Sequence, residues 1–365
     1  AGGGAARAGR GAGGLRKSLV ATGAWHPQVN GVVQTLTMMS QATQALGVEM
    51  CFLTPQSFRT VAMPGYPGIR LALPTPAKIA RLIEEAKADA IHIATEGPIG
   101  LLVRQYCASR GLAVSSSFHT RFPEYVSARL PIPESWVWAA LRWFHRLSGS
   151  VMAATPPLAQ ELTARGFANV RIWPRGVDAR LFRPREIDLG LPKPIFLSVG
   201  RVAVEKNLEA FLGLDLPGTK VIVGDGPQRA SLERRYKDAV FLGERFGEKL
   251  AEIYSAADEF VFPSKTDTFG LVLLEALASG VPVAAFPVTG PKDVIGAAPV
   301  GALYDDLQAA CLAALNLSRE TCRAFALERS WDASAQAFLK NVLAARGRTG
   351  AGDSPAVPVS SRLSA

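Results

Sequence analysis

The stretch Phe262–Val283 reads FPSKTDTFGLVLLEALASGVPV, and it holds one full repeat of the fold. A short apolar run ends at Phe262, a polar loop carries Asp267, and a helical run begins near Phe269 and Gly270 and continues through Glu275 to Ala278. Gly280 and Pro282 then stop the helix, because glycine accepts the left-handed turn that closes a helix and proline cannot continue one. A second apolar run follows. Strand, helix and strand in this order lay the two strands parallel.

The same alternation extends outward in both directions. Runs apolar on both faces, as buried parallel strands are, predict strands at Ser18–Thr22, Glu49–Thr54, Ala90–Ala94, Ala113–Phe118, Ser150–Ala154 and Val170–Trp173. A second series is predicted at Ile195–Val199, Lys220–Val223, Val240–Leu242, Glu259–Phe262 and Val281–Phe286. Helical stretches such as Thr35–Leu46, Ala77–Lys87 and Ile99–Arg110 separate them. The fold class is α/β with doubly wound parallel sheets. About eleven strands is near the limit for one open twisted sheet, so two sheets in two domains are expected. The first domain is expected over 15–183 and the second over 184–329, with the Pro-rich, charged stretch Pro184–Pro194 as linker. A last helix, Trp331–Ala345 within a segment 330–346, is expected to return to the first domain. The Gly/Ala/Arg leader 1–14 and the Gly/Pro/Ser-rich tail 347–365 are expected to be disordered.

Composition narrows the function classes. The chain has 365 residues, 48% hydrophobic and 19% charged, with four cysteines and a formal net charge of +9. Four scattered cysteines are too few for a disulfide scaffold and read as reduced thiols of a cytoplasmic protein. No apolar run approaches the ~18 residues of a membrane-spanning helix. The positive charge leaves nucleic acid, an anionic membrane surface or an anionic small substrate open. Scattered basic residues with no recognition motif argue against nucleic acid.

Several residues can carry chemistry. Glu275 lies inside the apolar run LVLLEALA, where an ionised group must find a partner, although Asp267 could be a plain N-cap and Glu275 a solvated residue. The amides of Phe269, Gly270 and Leu271 at the helix start can seat a phosphate or a sugar hydroxyl. VGRVAVEKN (Val199–Asn207) follows a strand and opens a helix. There Gly200 permits close backbone approach, and Arg201 and Lys206 are either anion-binding cations or ordinary surface charges. Asn30 and Gly31 should form the turn that starts the first helix. VGDGP (Val223–Pro227) should need positive φ at Gly224 or Gly226. His119 stands at a strand's carboxyl end, facing a cleft or packed, whereas His92 reads as core, and His26 and His145 carry weaker signals. Trp136–Arg146 (WVWAALRWFHR) suits either a membrane interface or a helix buried on the sheet.

These segments occur in an order that resembles the retaining glycosyltransferases of family 4 (GT4), which have the GT-B fold. The family's E-x7-E signature reads D-x7-E here, from Asp267 to Glu275. HPQVNGVVQTL (His26–Leu36), SSFHTRFPEY (Ser116–Tyr125), PRGVDARLF (Pro174–Phe182), VGRVAVEKN and VGDGP accompany it over Leu15–Ala345. The aspartate variant resembles a subgroup containing GDP-mannose-dependent α-mannosyltransferases and diacylglycerol or sulfolipid glycosyltransferases. The resemblance implies two facing Rossmann-like domains with the site between them. It implies transfer of a hexosyl unit from a nucleotide-diphosphate sugar, GDP-mannose or a UDP-sugar, to a lipid or glycan. Glu275 would hold the ribose hydroxyls, Arg201 and Lys206 the diphosphate, and Asp267 and His119 the sugar. Gly31 and Gly200 would lie by the diphosphate, and Arg175 and Gly176 near the cleft. No metal and no cofactor beyond the sugar nucleotide is then expected, and the place of work is cytoplasmic, peripheral at the membrane. Other readings are a catalytically inactive GT-B-like binding protein, or a sugar phosphorylase or epimerase on the same fold.

Overall fold

A computed structural model describes residues 14–27, 30–63, 66–119, 132–267 and 269–350. Expectations for the leader 1–13, for Thr120 to Tyr125 and for the tail beyond Gly350 lie outside the described residues.

The chain divides into two compact units. The first holds a six-stranded parallel sheet in the order β2-β1-β5-β6-β7-β8. Its strands are β1 (Lys17–Ala21), β2 (Glu49–Leu53), β5 (Ala90–Ile93), β6 (Val114–Phe118), β7 (Ser148–Ala153) and β8 (Val170–Ile172). An antiparallel pair, β3 (Thr60–Met63) and β4 (Tyr66–Ala72), is inserted after β2. The second unit holds another six-stranded parallel sheet in the order β11-β10-β9-β12-β13-β14. These strands are β9 (Ile195–Val199), β10 (Thr219–Val223), β11 (Val240–Phe241), β12 (Glu259–Phe262), β13 (Val283–Ala285) and β14 (Gly301–Leu303).

Why the strands are apolar on both faces is visible in β12. Phe260 and Phe262 belong to the core shared with the helix Leu271–Ala278, while Val261 belongs to the opposite core with Cys311 and Ala314 of the helix Leu307–Ala314. A strand covered on both sides by helices has no polar face to offer solvent. All four cysteines are free thiols, and Cys107, Cys311 and Cys322 are buried.

The unit boundary differs from the sequence expectation. The first unit comprises the chain through Ala153, Ala159–Trp173 and the chain from Ala335, and the second comprises Ala154–Leu158 and Pro174–Ser334. The crossing is thus at Trp173–Pro174 rather than Arg183–Pro184, and the return is at Ser334–Ala335 rather than near Arg329. Pro184–Pro194 is part of the second unit: Leu189 and Leu191 pack on its core, and Ser255 Oγ accepts from the Arg185 amide. The prolines stiffen this stretch, but its two leucines have apolar surface to bury. The last helix runs Trp331–Gly350, so Gly347–Gly350 are helical rather than loose.

PRGVD also has a structural explanation. Val177 donates its amide to Arg329 at 3.0 Å and bridges Ser330, and a Cβ on Gly176 would overlap the Trp331 amide nitrogen. Only glycine permits that approach. Arg175 is buried, and its burial pushes the guanidinium pKa down to about 9.

Candidate functional site

In the second sheet β9 and β12 are neighbours, but β9 leads to β10 on one side and β12 to β13 on the other. Such a reversal opens a crevice beyond the carboxyl ends of the two strands, where doubly wound sheets bind ligands. The loops that meet there hold residues 200–207 and 263–267.

Side chains tie the two loops together. Asn207, held in the left-handed region at φ 53°, donates its Nδ2–H to the Pro263 carbonyl at 3.0 Å. Ser264 and Thr266 each donate a hydroxyl to the Glu205 carbonyl at 3.4 Å. Lys206 Nζ reaches both oxygens of Asp267, at 2.7 and 2.8 Å. The pair is half-buried, with side-chain exposures of 29% and 25%. Asp267 is therefore the partner of Lys206 and not a helix cap; Gly270, at φ 79°, is the N-cap of Leu271–Ala278. Phe269 and Gly270 precede that helix, and the amide of Leu271 is the first of its turn, without an intrahelical partner.

VGRVAVEKN opens with a single 3-10 turn, Val204–Lys206, before the short helix Leu208–Leu212. VGDGP shapes it. The Val202 amide donates to Asp225 and the Gln228 amide to Val202, at 2.9 and 3.0 Å. Gly224 has φ 141°, and a Cβ there would overlap the Gly200 carbonyl oxygen, so the close approach of the two loops requires glycine. Gly200 itself has φ 150°. Arg201 is exposed, without an ion-pair partner among the described residues.

Glu275 is buried at 5% exposure, and its Oε2 accepts the Tyr254 hydroxyl at 2.9 Å. This is the partner its apolar surroundings demanded. Burial, then the Glu275 charge and hydrogen bond, push the Tyr254 phenol well above its ordinary pKa, so it stays a donor. Tyr254 lies on the helix Gly247–Ala256 and carried no sequence signal of its own.

The loops after β9 and β12 thus carry Lys206, Asp267, Arg201, Gly200, Phe269, Gly270 and Leu271 to one end of the sheet, whereas Glu275 lies a turn further along the helix, bonded to Tyr254. A hollow lined by Lys193, Asp258, Pro282, Leu315 and Arg319 lies at the amino ends of β9, β12 and β13, the wrong end for a ligand of this fold.

In the first unit the reversal falls between β1 and β5. After β1, the Gly23 amide donates to Thr95 Oγ1 at 2.6 Å, and Asn30 caps the helix Gly31–Ala45 by accepting from the Val32 and Val33 amides, both at 3.0 Å. A Cβ on Gly31 would meet nothing among the described residues, so their packing does not require glycine there. His119 follows β6, half-buried, with Nε2 2.8 Å from Ser117 Oγ and its ring edge against Trp173. His92 is core as expected. His145 is core too, 3.2 Å from Glu96 Oε1, and His26 is exposed.

The Trp-rich helix is buried along one side, as a helix packed on the sheet would be, and exposed along the other. Glu134–His145 buries Trp138, Leu141 and Phe144 but leaves Trp136 70% and Trp143 48% exposed. Arg104 closes its carboxyl end, donating to the Phe144 and Trp143 carbonyls at 2.8 and 3.0 Å, with its guanidinium 3.8 Å from the Trp143 ring centroid.

Comparison with known proteins agrees with this arrangement. Residues 29–181 match the family described as Glycosyltransferase Family 4, and residues 193–319 match that described as Glycosyl transferases group 1. A GDP-mannose-dependent alpha-mannosyltransferase of Mycobacterium tuberculosis is 31% identical over 92% of this chain and 98% of its own length. An alpha-monoglucosyldiacylglycerol synthase of Streptococcus pneumoniae is 26% identical over 88% of this chain and 83% of its own. The solved sucrose-phosphate synthase of Thermosynechococcus elongatus superposes with a TM-score of 0.72 at 20% identity, covering 89% of this chain and 98% of that one. The chain belongs to glycosyltransferase family 4 and has the GT-B fold.

Proposed function

We propose that the protein is a retaining hexosyltransferase that moves a sugar from a nucleotide-diphosphate donor to a lipid or glycan acceptor. The observation that carries this reading is the Lys206–Asp267 pair at the carboxyl ends of β9 and β12, beside the exposed Arg201. An ammonium has three donors, and Asp267 takes two, which leaves one for a phosphate oxygen. Arg201 adds a forked cation, and the start of Leu271–Ala278 adds amides. Together they neutralise charge that builds on the diphosphate as the glycosidic bond breaks. Asp267 then accepts from sugar hydroxyls and Glu275, steadied by Tyr254, from the ribose. His119 supports the transferred sugar.

A diphosphate neutralised by two side-chain cations needs no divalent ion, so the reaction is proposed to be metal-independent. Retention follows from front-face attack: the acceptor hydroxyl enters on the side from which the diphosphate departs, and the leaving phosphate takes its proton. GDP-mannose and UDP-hexoses are both compatible with the site. The names of the two relatives, one GDP-mannose-dependent and one a diacylglycerol glycolipid synthase, support these classes.

No helix among the described residues is long and apolar enough to cross a membrane. Exposed Trp136 and Trp143, with Arg142 and Arg146 exposed beside them, instead suit peripheral contact with an anionic leaflet, aromatics at headgroup depth and cations on phosphates. Incubation with a panel of sugar nucleotides and a membrane lipid extract, in EDTA, is expected to add one hexose to a lipid by mass spectrometry. Trp136→Ala should lower turnover on vesicle-borne lipid about tenfold, a loss of one interfacial anchor, and leave detergent-dispersed lipid unaffected. No hexose addition from any donor, or addition only when divalent cations are restored, contradicts the corresponding part of the proposal.

A further inference from the structure

β6 reads Val114-Ser115-Ser116-Ser117-Phe118, and all three serines are buried, at 1, 0 and 0% exposure. Three buried hydroxyls on a central strand are costly unless they are hydrogen-bonded. Successive side chains face opposite sides, so Ser115 and Ser117 share one face and Ser116 takes the other. Each face pairs with a different histidine. On one, His92 from the neighbouring β5 lies with Nδ1 2.9 Å from Ser115 Oγ and Nε2 3.1 Å from Ser117 Oγ. On the other, Ser116 Oγ is 2.7 Å from both His145 Nδ1 and Ser148 Oγ.

Ser117 does more than satisfy His92. Its oxygen is also 2.8 Å from His119 Nε2, so a continuous path runs Ser115, His92, Ser117, His119. The rings along it are clamped: His92 sits edge-on to Trp173 and Phe338, at 5.9 and 5.0 Å between centroids, and His119 edge-on to the same Trp173 at 5.7 Å. Neither ring can flip without opening these contacts.

The contacts fit one arrangement of the protons. Ser117 has one proton, and the Ala94 carbonyl at 3.4 Å is a poorer acceptor for it than a histidine nitrogen at 2.8 or 3.1 Å, so it goes to one histidine while the other histidine donates to the serine oxygen. The longer contact, to His92, matches an N–H donor, and the shorter one, to His119, matches a hydroxyl donor. Ser115 then donates to His92 Nδ1, His92 donates from Nε2 to Ser117, and Ser117 donates to His119 Nε2. A neutral His119 so held carries its proton on Nδ1.

We propose that Ser117, backed by His92, is a positioning residue that fixes the ring and tautomer of His119, so that His119 meets the donor sugar as an N–H donor from Nδ1. The sugar contact rests on the function proposed above, whereas the tautomer does not. The chain has only four histidines, so nitrogen-15 NMR of the imidazoles resolves each of them. In the intact protein His119 should show the Nδ1–H pattern. Ser117→Ala and His92→Gln should each convert it to a mixture of tautomers. Both should lower kcat about tenfold, the worth of one directed hydrogen bond, with the KM for the sugar nucleotide within about twofold. Ser116→Ala should shift His145 and spare His119, and an unmoved His145 signal in the first two variants certifies their fold. An unchanged His119 tautomer in Ser117→Ala overturns the proposal whether or not the enzyme turns over. A changed tautomer with unchanged kcat overturns the link to the sugar. Absence of turnover in the intact protein bears on the proposed function and leaves the tautomer result standing.

Discussion

Lys206→Ala is expected to lower kcat by about 100- to 1,000-fold, the loss found when one preorganised donor to a developing charge is removed. The fold should survive. Lys206 and Asp267 are both about a quarter exposed, and a pair at that depth contributes on the order of 1 kcal/mol or less to stability. Thermal unfolding should therefore move by only a few degrees. Lys206→Arg keeps the charge but replaces a compact ammonium with a planar fork. It should recover part of the activity, because Asp267 can still be engaged while the phosphate contact is displaced. Single-turnover kinetics with saturating donor separates the chemical step from binding. Turnover of Lys206→Ala at the level of the unaltered protein would remove Lys206 from the reaction.

The second large effect concerns stability. Glu259, at the amino end of β12, is fully buried, and among the described residues no nitrogen or oxygen donor reaches either of its carboxyl oxygens. The Cys311 thiol beside it is a weak donor. Burial pushes the Glu259 carboxyl from 4.5 up to about 9. The folded state thus keeps its proton where the unfolded chain releases it, so this group loses stability as pH rises from about 4.5 to about 9 and adds no further change above that. At pH 7 the penalty is on the order of 3 kcal/mol. Glu259→Gln keeps the shape and never ionises. It should match the unaltered protein near pH 4.5 and exceed it by up to about 3 kcal/mol at pH 7, read as a difference in denaturant midpoints across pH. A gain that does not grow with pH would place the effect in packing rather than ionisation. Activity should stay unchanged, since the site lies at the other end of the strand.

Ile195–Val199 and Glu259–Phe262 were legible in the sequence to their ends, because a strand covered on both faces is an apolar run bounded by polar turns. The antiparallel pair β3 and β4 was not, since Pro67 and Gly68 interrupt β4 with residues that ordinarily signal a turn. β14 is three residues, opens with glycine, and sends no periodic signal. The unit boundary was misplaced because proline content marks stiffness, whereas the burial of Leu189 and Leu191 decides which core the segment joins.

Site chemistry divided in the same way. Gly224, Asn30 and the loops around Lys206 and Asp267 follow from local rules, such as positive φ, capping and strand ends. Contacts between distant segments do not. Lys206 and Asp267 are 61 residues apart, and Tyr254 precedes Glu275 by 21 on another helix. Glu275 announced that a partner must exist, but nothing in the sequence named it. The three serines of β6 weakened an otherwise apolar run, and only the register of β5 against β6 shows that His92 and Ser115 are opposite one another.

Glycosyl transfer with retained configuration is the reaction we propose for the Lys206–Asp267 crevice. Its most direct test is release of nucleoside diphosphate from an α-linked sugar nucleotide, followed with and without acceptor, with NMR of the product's anomeric centre. The account predicts acceptor-dependent release and an α-linked product. Release that depends on inorganic phosphate, or a β-linked product, would contradict it.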